Sequence, residues 1–124
     1  MKKSFFDFSN TYVNLPDHFF QRIKPQKVKN PKLLKLNLNL AKSLGLRIED
    51  SGHISINEIL SGNKLPKGAE PIAMAYAGHQ FGNFVPSLGD GRAILLGEIL
   101  TPKNKRFDIQ LKGAGITKFS RSGD

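Results

Sequence analysis

The chain has 124 residues, with 19 Lys+Arg against 10 Asp+Glu, a formal net charge of +9. Hydrophobic residues make up 39% of it, and with glycine counted the apolar share is that of an ordinary globular protein, which excludes disorder throughout. No apolar run approaches the about 18–20 residues of a membrane-spanning helix, and zero cysteines exclude a disulfide scaffold, a thiolate metal site and a cysteine nucleophile.

The first segment, Met1-Lys2-Lys3, carries the charge of a signal-peptide start, but Asp7 and Asn10 interrupt the aromatic run before an apolar stretch develops. A cytoplasmic location is the expectation. Through residue 30 the chain is irregular, with Pro16 and Pro25 between clusters of aromatics (Phe5, Phe6, Phe8, Tyr12, Phe19, Phe20). Stretches of this kind wrap over a neighbouring element. A helix is predicted from Pro31 to Leu44, with Asn30 as N-cap, a Leu stripe (Leu33, Leu34, Leu36, Leu40, Leu44) facing the core, and Gly45 as the residue that ends it. A shorter helix is predicted from Ser55, where Ser55 and Glu58 match a capping box, to just before Gly62.

Between Asp17 and Glu49 the only charged residues are basic, from Arg22 to Arg47. Such a stripe can bind nucleic acid or another polyanion. It has no interleaved aromatics and no RNA-binding signature, so a solvated basic face is the simpler reading.

From Glu70 the character changes to glycine-rich turns and strands. Residues 94–100 form an apolar run of strand length, and Phe107, Ile109 and Leu111 alternate with Asp108, Gln110 and Lys112. With Pro102 and Asn104 between them, the two runs predict an antiparallel hairpin. Just before the first strand, Gly89-Asp90-Gly91-Arg92 allows a tight turn whose N–H groups can approach an anion unobstructed. Hairpin geometry then brings Lys112 under that loop. Protein kinases hold ATP with a comparable layout, a glycine-rich loop over the phosphates and a lysine on the third strand. Neither a Walker A sequence nor a Gly-x-Ser-x-Gly elbow is present. His79, between glycines, could serve as a general base only with an orienting carboxylate such as Asp90, and a structural histidine explains it better. The second glycine cluster, Gly113-Ala114-Gly115, could make a second phosphate contact or be a plain exposed loop.

The blocks Ala75-Tyr76-Ala77-Gly78-His79-Gln80-Phe81-Gly82, Leu88 to Glu98, Gln110 to Gly115 and Phe119 to Asp124 closely resemble the selenoprotein O family. Asn10-Thr11-Tyr12, Leu15-Pro16 and the stretch from Asn39 to Leu46 fit as well. The resemblance covers essentially the whole chain, but the chain covers only the opening part of the family. It implies a kinase-like protein, of a kind long taken for pseudokinases, that binds ATP in a flipped orientation. Such proteins use Mg²⁺ or Mn²⁺ to transfer AMP to hydroxyl side chains of protein substrates. Carried over, Gly89, Gly91 and Arg92 resemble the glycine-loop nucleotide contacts, Lys112 the phosphate-binding strand lysine, and Asp124 the Asp of a Gly-Asp-Gly nucleotide contact. The catalytic Asp and the metal-binding Asn and Asp that the resemblance implies would follow Asp124.

The expected fold class is therefore α+β: an N-terminal helical segment, then an antiparallel β-hairpin resembling part of a protein-kinase-like N-lobe, and incomplete. The expected division is an N-terminal extension over 1–69 and a truncated nucleotide-binding lobe over 70–124. No element follows the hairpin to bury its apolar face (Phe107, Ile109, Leu111), so the chain is expected to be a fragment, or the first of two split reading frames. The remaining part, as a separate chain, would then be a partner. Two other readings stand beside the adenylyltransferase: an inactive structural lobe, and a basic nucleic-acid-binding module.

Overall fold

The computed structural model describes residues 6–47, 56–75, 78–80, 82–85, 89, 93–113, 115 and 117. Its architecture is α+β. A four-stranded antiparallel sheet contains β1 (Phe20–Arg22), β2 (Ile72–Met74), β5 (Ala93–Leu100) and β6 (Arg106–Lys112), in that spatial order. A separate two-stranded ribbon pairs β3 (Gly78–Gln80) with β4 (Asn83–Val85). Helices α1 (Leu38–Ser43) and α2 (Ile56–Ser61) complete the regular elements. Among the described residues no helix is long and apolar enough to cross a membrane.

The hairpin expected from the alternating pattern is the centre of the fold. β5 and β6 pair antiparallel from Ala93–Lys112 at one end to Leu100–Arg106 at the other, with a bulge in β5 between Leu95 and Gly97. β5 is buried on both faces, as an uninterrupted apolar run requires. On one face, Phe6, Ile59 and Ile99 form a buried cluster joined by Phe8, Leu44, Leu46, Ile56 and Ile109. On the other, Phe20, Ile72 and Leu95 pack with Tyr12, Val13 and Met74. The aromatic N-terminal segment therefore wraps over the sheet, as its composition suggested. Phe8 forms an antiparallel bridge with Ile99, and the sheet takes strands from both sides of residue 70.

The long helix expected over residues 31–44 is not formed in full. Only its last part, α1, is helical, and its N-cap is Asn37, not Asn30. The Asn37 Oδ1 accepts the Leu40 N–H at 2.9 Å, while Asn30 sits at φ +47° in the left-handed region. Only the end of the Leu stripe reaches the core: Leu34 is 96% exposed and Leu33 and Leu40 are exposed as well, Leu36 is half-buried, and Leu44 packs against the Ile99 cluster. Short helices draw most of their stability from a packed face, and the first half of this stripe packs against no buried cluster. The C-terminal end follows expectation. Gly45 (φ +77°) donates to Lys42 O and Leu46 to Ala41 O, the paired bonds of a Schellman cap. α2 ends at Gly62 (φ +84°) and buries Ile59. The Ser55 half of its capping box lies outside the described residues.

Candidate nucleotide-binding site

The sheet sets the geometry of the glycine loop and the strand lysine. The chain passes from β2, through the β3–β4 ribbon and Gly89, into β5, turns at residues 101–105 and returns as β6. Gly89 adopts φ +82°, a conformation that costs a side-chain-bearing residue energy. Four residues on, Ala93 is the cross-strand partner of Lys112. Partners in an antiparallel pair share a sheet face, so Lys112 stands beside the strand that leaves the loop. Its side chain is exposed and, among the described residues, forms no ion pair. Gly91, Arg92 and Asp124 lie outside the described residues; of the expected cluster the structure describes Gly89 and Lys112, and it sets Lys112 opposite Ala93, four residues after Gly89.

Beyond Lys112 the chain bends through Gly113 (φ +73°) and Gly115 (φ +138°). A Cβ on Gly113 would meet nothing within 4 Å, whereas one on Gly115 would come within 2.9 Å of the Gln26 Cγ. Gly113 is therefore selected by backbone conformation and Gly115 by conformation and packing together. His79 is paired with Phe84 in the β3–β4 ribbon, and Asp90, its candidate orienting group, lies outside the described residues. Among the described residues no three His, Asp or Glu side chains are grouped to hold a metal.

The most elaborate polar constellation was not singled out from the sequence. Glu98, 5% exposed, accepts hydrogen bonds from the Thr11 N–H (2.6 Å), the Thr11 hydroxyl (2.6 Å) and the Tyr12 N–H (2.8 Å), and faces the Arg106 guanidinium at 3.3 Å. Its own N–H donates to Asn10 Oδ1 and its carbonyl accepts from Ser9 N–H. Arg106 also donates to Ser9 O. Burial by itself would raise the Glu98 carboxyl, but the Thr11 hydroxyl, the two N–H donors and Arg106 outweigh it and hold the group below the ordinary glutamate value. Opposite it on β6, Asp108 is pushed up by burial and by the Glu98 charge, with Arg106 pulling the other way. One signal in the sequence points here: a single acid inside the apolar run 94–100 must find partners if that run is a buried strand.

Chemically, backbone N–H dipoles at a glycine-rich turn together with a lysine ammonium can hold an anion, and the described parts here are Gly89 at positive φ and an exposed Lys112 with no ion pair among the described residues. Comparison with known proteins gives this arrangement a context. A family model described as "Protein adenylyltransferase SelO" matches residues 3–124. Among curated relatives, the protein nucleotidyltransferase YdiU of Bradyrhizobium sp. (strain ORS 278) is 59% identical over 96% of this chain and 24% of its own length. That of Rhizobium johnstonii is 60% identical over the same shares, and that of Brevibacillus brevis 57% identical over 95% of this chain and 24% of its own. The chain thus spans about a quarter of the length of the curated relatives it matches. With the family model matched over nearly all of its residues, the chain belongs to the protein adenylyltransferase SelO family.

Proposed function

We propose that this chain is the N-terminal part of a protein adenylyltransferase, in which it supplies the loop and lysine that hold the phosphates of ATP. The reaction would transfer AMP to a Ser, Thr or Tyr hydroxyl of a protein substrate. The hydroxyl oxygen bonds to the α-phosphorus, the bond to the β,γ-phosphates breaks, and pyrophosphate leaves with the proton lost to a base. The observation that carries the reading is the Ala93–Lys112 register, which sets the lysine beside the strand emerging from the glycine loop. The order β2, loop, β5, β6 also parallels a kinase N-lobe, where a glycine-rich loop covers the phosphates and the lysine lies on the third strand.

In this reading Gly89, Gly91 and Arg92 contact the nucleotide, Lys112 neutralises phosphate charge, and Asp124 makes a further nucleotide contact. The described part of that set is compatible with a polyphosphate: Gly89 has the positive φ of a tight glycine turn and Lys112 is exposed without an ion pair among the described residues. Mg²⁺ or Mn²⁺, when bound, would offset charge at the transferring phosphate. The residues holding it would lie C-terminal to Asp124, as would the catalytic Asp. The location would be cytoplasmic.

The test joins residues 1–124 to the remainder of the Bradyrhizobium relative and incubates the product with labelled ATP and Mn²⁺. Label should appear on protein, and Lys112→Ala should cut transfer about a hundredfold, the scale of removing one preorganised charge-stabilising group. Transfer undiminished by Lys112→Ala would remove the lysine from the mechanism.

A further inference from the structure

The bulge in β5 is a point where the hairpin could hold either of two registers. Downstream of it, Glu98 faces Asp108 and Gly97 faces Ile109; upstream, Leu95 faces Gln110 and Ala93 faces Lys112. Without the extra residue, the register set at Glu98–Asp108 would continue unshifted and bring Ile94, not Ala93, opposite Lys112. Every side chain of β5 upstream of the bulge would then change faces. Hydrophobicity does not choose between these states, because Ile94, Leu95 and Leu96 are all apolar and all buried.

What does distinguish them is the polar clamp. The Ser9–Tyr12 segment grips Glu98 through its carboxylate, its N–H and its carbonyl, and Arg106 ties the same point to β6. Asn10 extends the grip upstream. Its Nδ2 donates to Gly68 O and to Glu70 Oε2 at 3.1 Å each, and the Glu70 N–H donates to the carbonyl of Leu96, the bulged residue. Gly97 lets the segment lie this close, because a Cβ there would collide with the Phe8 ring and Asn10 Oδ1. Bulges commonly re-aim side chains near active sites. We infer that Glu98 is a positioning residue: through the N-terminal segment it fixes the β5 bulge at Leu96 and thereby holds Lys112 opposite Ala93, at the mouth of the glycine loop. Its relevance to ATP rests on the nucleotide-binding reading above; the register claim does not.

Residues 1–124 contain no cysteine, so paired cysteines can read the register directly. The experiment uses the completed protein, with any cysteines in the added part changed to serine and oxidised glutathione as the oxidant. Cross-strand partners have Cα separations that a disulfide accommodates. With Glu98 intact, the pair Ala93→Cys/Lys112→Cys should link about tenfold faster than Ile94→Cys/Lys112→Cys, an energy gap of one register over the other of about 1.4 kcal/mol. Glu98→Ala should abolish that preference. Glu98→Gln, which can still accept from the Thr11 and Tyr12 N–H groups, should keep it. Ile59→Ala, which weakens the core on the opposite face, should keep it too. If Glu98→Ala fails to fold, Glu98→Asp replaces it, since the shorter carboxylate cannot reach the same donors. Retention of the preference in Glu98→Ala or Glu98→Asp overturns the proposal, as does its equal loss in Ile59→Ala. In a parallel arm with Lys112 intact, Glu98→Ala should weaken ATP binding about tenfold and Glu98→Gln much less. Absence of ATP binding in every variant, the unsubstituted protein included, would overturn the nucleotide reading, while the cross-linking result would still decide the register.

Discussion

At the scale of single residues, the burial of Glu98 and its hydrogen bonds push in opposite directions, and the hydrogen bonds win. A carboxyl whose folded value lies below its unfolded one contributes stability that is present above the unfolded value and is lost as pH falls through the folded one. The unsubstituted protein should therefore lose stability on acidification below the ordinary glutamate range, and Glu98→Gln should flatten that part of the profile in denaturant titrations at stepped pH. Asp108 has the opposite sign. Its raised carboxyl makes the ionised form a cost, one that disappears as pH falls through the folded value. Because Glu98 supplies part of that rise, Glu98→Gln should lower the Asp108 titration midpoint, measured by carboxyl-carbon NMR, though burial keeps it from returning fully. Truncation is harsher than neutralisation. Glu98→Ala strands the donors of Thr11 and Tyr12 and should cost about 2–4 kcal/mol of unfolding free energy. Gly97→Ala meets a different obstacle, the Phe8 ring and Asn10 Oδ1, and overpacking of this kind should cost about 1–3 kcal/mol in the same measurement.

At the scale of elements, the hairpin was legible because both of its signals are local. Alternation over residues 107–112 marks one strand, the apolar run over 94–100 marks the other, and Pro102 and Asn104 mark the turn, with Asn104 at φ +62°. The helix over 31–44 was only half legible. Leucines at helical spacing specify an amphipathic face but not where the helix starts; α1 buries no residue itself, and its bounds are set by its caps and by Leu44 and Leu46, which anchor its C-terminal end against the core. Asn37, with its side chain bonded to the Leu40 N–H, marks the actual start. Asn37→Ala should therefore destabilise α1 by about 1 kcal/mol. Amide hydrogen exchange should read this as faster exchange at Ala41 and Leu44, whose N–H groups bond to Asn37 O and Leu40 O. Exchange in β5 should be little changed, because α1 contributes no buried residue of its own.

At the scale of the whole molecule, β1 comes from residues 20–22 and pairs with β2 at residues 72–74, so the sheet takes one of its edge strands from outside the glycine-rich half. The N-terminal segment is structural to the sheet, and its Phe6, Phe8 and Phe20 complete both faces of the core. The 124-residue stretch by itself, incubated with labelled ATP and Mn²⁺, should transfer no label, because the proposed metal ligands and catalytic Asp belong to the remaining three-quarters of its relatives' length. The sequence by itself determined what depends on near neighbours along the chain: the β5–β6 hairpin, the glycine that ends α1, and the motif blocks that carry the family. The tertiary structure decided what depends on residues far apart. It left the first leucines of the expected helix uncovered, recruited β1 to the sheet, and gave Glu98 partners some 87 positions away. The physical reason is common to all three: burial, edge pairing and the hydration lost by a charge are properties of surfaces brought together, and no local pattern states which surfaces those will be.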